Sequence, residues 1–294
     1  MLTDIAPVDI VRTPYAVAIP TRQTMAVVFA SPHSGSHYPA EFVSASRLDP
    51  VTLRRSEDAF VDELFADVSE LGAPLIKALF PRAYVDVNRE PYELDPAMFV
   101  DSLPDYVNIR SPRVAGGLGT IARVVANGAE IYRAKLSFAE AKARIESLWQ
   151  PYHETLAQLI GETKRRFGHS LVIDCHSMPS VGGPMDQDPG LRRVDVVLGD
   201  AHGTSCAGAI VDTAARALKA LGLNVAHNIP YAGGFTTRHY GQPAMGVHAL
   251  QVEVNRALYM DERAIARGPG LPALAQRIAR YIDFMVRMDM SSLR

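Results

Sequence analysis

LVIDCHSMPS, residues 171–180, is a short apolar run that ends abruptly in Asp174, Cys175, His176 and Ser177. In an open α/β sheet, reactive groups gather just beyond the carboxyl ends of the strands. Two further segments have the same form. MAVVFASPHSGSHYP places His33 just past a strand-like run, and HALQVEVNR places Glu253 and Arg256 at the end of another. Three strand ends carrying His, His and Glu point to a metal hydrolase.

Working outward, strand-like and helical segments alternate. Strands are expected over 25–31, 75–79, 83–88, 171–175, 194–200 and 247–254. Helices are expected over 50–71, 137–167, 203–221 (stopping at Gly222) and 271–288, with a kink or break at Pro151. This alternation predicts an α/β protein of three layers, an α/β/α sandwich around a mixed, mainly parallel sheet covered on both faces. No repeat or low-complexity linker divides the 294 residues, so the expectation is one domain over 1–294.

With 48% hydrophobic and 21% charged residues and a net charge of −2, the chain lacks the basic footprint of a nucleic-acid binder. It has no apolar run of transmembrane length. MLTDIAPVDIVRTPY carries an early Asp and no continuous apolar stretch, so it does not read as a signal peptide. Cys175 and Cys206 cannot make a disulfide framework, and reduced thiols in a cytoplasmic protein are the simpler reading.

A catalytic zinc takes three protein ligands and leaves one position open. His33 and His176 are the best-placed imidazoles; the plain alternative for each is a local loop or core hydrogen bond. The third ligand should be a carboxylate, but the residue three after His33 is Ser36, so H-x-x-E fails. In the expected helix RRSEDAFVDELF, Glu57 falls on the middle of the apolar face and Asp58 on its shoulder, so helix phase favours Glu57. Its alternative is a salt bridge to Arg54. Glu253, shielded at a strand end, suits a general base; a structural ion pair is the competing reading. Arg82, Arg89, Arg110, Arg113, Arg123, Arg238 and Arg256 lie in or beside polar loops, and two or three of them could clamp a carboxylate-bearing substrate. PYAGGFTTRHYG, 230–241, reads as a flexible binding loop. No P-loop, dinucleotide fingerprint or G-x-S-x-G elbow is present.

Taken in order, SPHSGSHYP, EDAFVDELF, RAYVDVNRE, LVIDCHSMP, LGDAHGTSC, PYAGGFTTRHYG and HALQVEVNRALYMDE resemble the N-formylglutamate amidohydrolase family over about residues 28–262. That family is related to the zinc carboxypeptidase and aspartoacylase group. The resemblance implies one Zn2+ per chain, or another divalent metal, on His33, Asp58 and His176, with Glu57 as the alternate to Asp58. It implies Glu253 as catalytic base and Arg82 as the arginine that polarises the scissile carbonyl. Asn88 and Arg89 match a pair that holds a substrate carboxylate, and Arg123, Arg238 and Arg256 are further candidates for the substrate. The implied reaction is hydrolysis of N-formyl-L-glutamate to formate and glutamate, as a cytoplasmic step of histidine breakdown. The alternatives are a zinc hydrolase for another N-acyl amino acid or peptide, and a non-catalytic binder of acidic metabolites. The expected partner in every case is a small molecule, with no nucleic acid and no membrane.

Overall fold

The computed structural model describes residues 13–184 and 186–286. Most of the N-terminal stretch read for a leader, and the last two residues of the helix expected over 271–288, lie outside them.

One seven-stranded sheet organises the chain. Its strands are β1 (Tyr15–Ala18), β2 (Val27–Ser31), β3 (Leu75–Ala78), β4 (Ser170–Met178), β5 (Val196–Gly199), β6 (Val225–His227) and β7 (Val247–Asn255). They lie in the order β1-β3-β2-β4-β7-β5-β6. β3, β2, β4 and β7 run parallel, while β1 pairs antiparallel with β3 and β5 antiparallel with β7. The sheet is therefore mixed and mainly parallel.

Alternation along the strands sends side chains into two separate cores. Val27, Phe29, Leu171, Ile173, Val252 and Val254 pack on one face against Gly208–Ala220 and Leu271–Val286. Val28, Ala30, Val172 and Ala249 pack on the other against Phe138–Arg144 and Gln150–Phe167. Helices thus cover both faces, as three layers require. β4 is central and buried at all nine positions. A strand buried on both faces reads as a continuous apolar run, so the polar residues at its end stand out.

Three expected elements change form. The helix over 50–71 is broken into Pro50–Leu53, a 3₁₀ turn at Arg54–Ser56 and Val61–Leu64. Glu57 is extended (φ −63°, ψ 141°) and Phe60 is left-handed (φ 66°), so no continuous helix runs past Asp58. The segment 83–88 is not a strand. Tyr84 and Val85 turn back onto the Pro81 carbonyl, and the Asp86 N–H donates to Thr120 O at 2.8 Å. Apolar side chains at 83, 84, 85 and 87 are all buried, which a folded turn under a covering layer accommodates. The loop 230–241 contains a helix, Phe235–Tyr240. Edge strands β1 and β6, four and three residues long, are too short for their periodicity to register.

The long helical pattern bends as expected, through a π turn at Ile145–Trp149. Pro151 lacks the N–H that would bond Ser147 O, and its ring crowds that carbonyl; the wider turn relieves both. The helix Gly208–Ala220 stops just before Gly222, which is left-handed at φ 79°. Among the described residues no helix is long and apolar enough to cross a membrane.

Candidate metal centre and active site

The parallel strands β2, β4 and β7 end at one edge of the sheet, and the candidate residues gather there. Val172 packs in the core that Gln150–Phe167 covers, so Asp174 and His176, two and four residues further on, share that face. In the β4–β7 ladder His176 stands opposite Glu253, so imidazole and carboxyl are lateral neighbours. His33 lies two residues beyond β2, and its carbonyl accepts the Asp58 N–H at 3.0 Å. That bond and the break after Ser56 carry Asp58 inward.

His33, Asp58 and His176 are all buried, and one potential ligand atom from each lies within 4.8 Å of the others. Asp58 Oδ2 is 3.0 Å from His176 Nδ1 and 3.4 Å from His33 Nδ1. Its Oδ1 accepts from Arg256 Nη2 at 3.0 Å and Ser177 Oγ at 3.3 Å. Each imidazole meets a second carboxylate on its far nitrogen: His33 Nε2 on Asp86 Oδ1 at 2.7 Å, His176 Nε2 on Asp174 Oδ2 at 3.0 Å. Carboxylates of this kind fix the tautomer and leave both Nδ1 lone pairs directed inward. The Nδ1 of His33 is buried and without a hydrogen-bond partner among the described residues. A buried bare nitrogen facing a carboxylate is costly unless a cation stands between them. The donor set, two imidazoles and one carboxylate, is one that catalytic zinc accepts.

The electrostatics are those of a compensated cluster. Burial would raise Asp58, yet the His176 and His33 imidazoles beside it hold it well below the usual carboxylate range. Burial is likewise outweighed at Asp86, by Arg82, His33 and Arg89. His176 is pushed up against its burial by Asp174, Asp58 and Glu253. Glu253 behaves oppositely: burial dominates and raises it to about 7, assisted by Asp58 and opposed by His176, Arg82 and Arg256. Its Oε1 accepts from Gln251 Nε2 at 2.9 Å.

A cavity of about 350 Å³ opens over Asp58 and Glu253, lined also by Arg82, Asp86, Arg89, Ser177 and Tyr231. A neighbouring cavity of about 700 Å³ shares Arg89, Arg113, Asp186 and Tyr231 with it and is lined by Arg238. Pro179, Val181, Gly183, Pro184 and Asp186 wall the first cavity, near Arg193, whose guanidinium pairs with Asp188 at 2.7 and 2.8 Å and with Asp186 at 2.7 Å.

Several expected roles are redistributed. Glu57 is buried but outside the His/Asp cluster: Arg54 holds both its oxygens, at 2.9 and 3.0 Å, and Tyr38 donates at 2.6 Å. Its salt-bridge reading applies, because the helix whose phase favoured it as a ligand is broken there. Arg123 is not brought to the site; it pairs with Asp95 at 2.8 Å and Glu130 at 3.5 Å in another depression. Asn88 faces inward. It lines the larger cavity, its Oδ1 accepts from Thr236 N at 2.8 Å, and its Nδ2 donates to Asp174 at 3.3 Å, 3.0 Å from His176 Nε2. Arg256 is also committed, to Asp58 and to Ser177 Oγ at 3.1 Å. Arg89 is anchored by Leu118 O and Asn88 O at 2.9 and 2.8 Å, with Asp86 only at 3.9 Å. Burial pulls it down to about 10, and nearby Arg113 and Arg82 add to this against Asp86. A cation so placed favours an added anion.

A reading confined to strand ends names Asp174 without giving it a role and does not single out Asp86 or Gln251. The signal for two of them was present: Asp174 and Gln251 stand two residues before His176 and Glu253, on the same strand face.

The sequence model of the N-formylglutamate amidohydrolase family matches residues 25–260. The chain is 31% identical over 247 residues to an N-formylglutamate deformylase of Pseudomonas aeruginosa, covering 83% of this chain and 85% of that protein. It is 26% identical to an N-formylglutamate deformylase of Pseudomonas putida, over 80% and 82% of the two chains. The crystal structure of an N-formylglutamate amidohydrolase from Ralstonia eutropha superimposes with a TM-score of 0.84 at 33% identity, over 93% of this chain and 96% of that one.

Proposed function

Since the chain belongs to the N-formylglutamate amidohydrolase family and is a hydrolase, we propose that it cleaves N-formyl-L-glutamate to formate and L-glutamate, using one zinc or other divalent ion. His33, Asp58 and His176 would hold the ion. The buried Nδ1 of His33, without a hydrogen-bond partner among the described residues and facing Asp58 and His176, carries this reading. One domain in the cytoplasm, serving histidine breakdown, belongs to the same reading.

A divalent ion there supplies a Lewis acid that acidifies water and polarises the formyl oxygen. Glu253 takes the proton released as water adds to the formyl carbon. It returns that proton to the glutamate nitrogen as the C–N bond breaks, so formate and the amine leave in balance. A carboxyl raised to about 7 by burial is matched to both transfers. Arg82, paired with Asp86 at 2.8 Å and lining the same cavity, stabilises charge on the former carbonyl oxygen. Arg89, on the wall common to both cavities, and Arg238 beside it take a substrate carboxylate.

The test is metal content and formate release from N-formyl-L-glutamate, on one purified sample before and after chelation. Activity should vanish with the metal and return on adding zinc. A metal-loaded protein that releases no formate overturns the substrate, and full activity without metal overturns the centre.

A further inference from the structure

Among the described residues, seven arginines line the cavity over Asp58 and Glu253. Four are tied to this chain's own groups: Arg54 to Glu57, Arg82 to Asp86, Arg256 to Asp58, and Arg89 to backbone carbonyls. Arg113 and Arg263 are exposed, so water serves them. Arg55 differs from all six. It is half-buried, its Nε is fully buried, and its guanidinium makes no hydrogen bond or ion pair among the described residues.

An unpaired guanidinium nitrogen shut away from water is expensive, because its hydration is lost and nothing replaces it. The Arg55 backbone is held close to the metal-ligand segment. Arg55 O accepts from Arg256 Nη1 at 3.4 Å, and the same guanidinium holds Asp58 Oδ1 at 3.0 Å. Arg55 also sits in the 3₁₀ turn that ends just before Glu57 and Asp58. The Arg55 backbone is therefore tied to the metal-ligand segment, while its half-buried side chain lines the cavity with no acceptor for its guanidinium among the described residues. A rigid fork of N–H donors suits a carboxylate, which it can grip with two parallel bonds.

We infer that Arg55 is a specificity-determining residue, which receives one carboxylate of a dicarboxylic N-acyl amino acid while Arg89 and Arg238 receive the other. This rests on the amide-hydrolase reading above. It makes the site selective for substrates with two carboxylates, and it assigns that selectivity to a residue outside the metal cluster.

The test measures binding of glutarate, a five-carbon dicarboxylate, and of butyrate, which carries one carboxylate, to the metal-loaded protein by calorimetry. The variants are Arg55→Gln, Arg55→Lys and Arg263→Gln, each first checked for metal content. Arg55→Gln should weaken glutarate roughly 10- to 100-fold, the loss of a charge-assisted pair, and leave butyrate unchanged. Arg55→Lys, which keeps the charge but not the fork, should fall between. Arg263→Gln removes a charge from the same cavity and should change neither ligand. In turnover, Arg55→Gln should lose the preference for N-formylglutamate over N-formylnorvaline. Equal glutarate affinity in wild type and Arg55→Gln, equal losses in Arg55→Gln and Arg263→Gln, or no glutarate binding by the wild type overturns the assignment. Arg55-dependent glutarate binding without formate release refutes the reaction and keeps Arg55. Formate release with an unchanged preference does the reverse.

Discussion

Asp58 has both oxygens spoken for: two imidazoles converge on Oδ2, while Arg256 and Ser177 hold Oδ1. Its neighbour Glu57 is as deeply buried, yet Arg54 and Tyr38 neutralise and satisfy it. Adjacent carboxyls thus divide between the site and the scaffold because the backbone is extended at Glu57. Glu253 stands apart, with burial its dominant influence. Glu253→Gln should keep the metal, since the residue is not in the His/Asp cluster, and lower kcat roughly 100- to 10,000-fold, the usual worth of a positioned acid–base group. Metal analysis beside steady-state kinetics checks both halves; turnover near wild type removes Glu253 from the chemistry. A base must be ionised to accept a proton, so kcat/KM should fall as pH drops through its pKa. Burial sets that value at about 7, and a bound cation can only lower it by favouring the anion. The acid limb of the profile should therefore lie at or below about 7 and vanish in Glu253→Gln.

At the level of elements, the segment 86–89 is held by what packs around it. The π turn before Pro151 ends at Trp149, whose Nε1 donates to Arg89 O at 3.0 Å, and one turn later His153 Nε2 meets Val87 O at 2.7 Å. Burial drives His153 down to about 4, so it is neutral there and its Nε2–H is the donor. The helix Phe235–Tyr240 packs beside it, the Phe235 ring centre 5.3 Å from that of His153, and begins against Asn88. A Cβ on Gly234 would lie 2.4 Å from Asn88 Nδ2, so a larger residue here must push the Asn88 amide aside. Gly234→Ala should displace the Asn88 amide, loosen Asp174 and His176, and weaken metal affinity about 10-fold or more, as lost outer partners do. Chelator competition reads this directly, and unchanged affinity would show that Asn88 does not support the centre. None of this was visible in PYAGGFTTRHYG, whose glycines suggested a flexible loop. A glycine needed for close approach and one needed for flexibility look alike until the neighbouring backbone is known.

Across the whole molecule, two cores clamp the sheet while its carboxyl edge concentrates Asp58, Asp86, Asp174 and Glu253, all buried. Arg82, Arg256 and the two histidines partly balance these carboxyls, and a cation held by His33, Asp58 and His176 would bind the folded chain alone. Ligand linkage makes a metal at a hundredfold excess over its Kd worth about 2.7 kcal/mol, which corresponds to several degrees in Tm for a chain of this size. Adding zinc to chelated protein should raise Tm by that amount, and Asp58→Asn should abolish the rise while remaining folded. Thermal unfolding with and without metal decides it; a Tm indifferent to zinc would count against a metal-binding role for these residues. Strand periods, helix stops and the residues at strand ends were legible in the chain because each follows from a few consecutive positions: LVIDCHSMPS alone marks a buried strand and a polar tip. Partners were not legible, since they come from distant segments. Arg256 meets Asp58 across 198 residues of sequence, His33 meets Asp86 across 53, and Asn88 meets His176 across 88. An arginine in isolation has the same chemistry whether its fork is filled by the protein or left for a ligand. Packing alone separates Arg256 and Arg123, already paired, from Arg55, whose buried Nε still lacks an acceptor among the described residues.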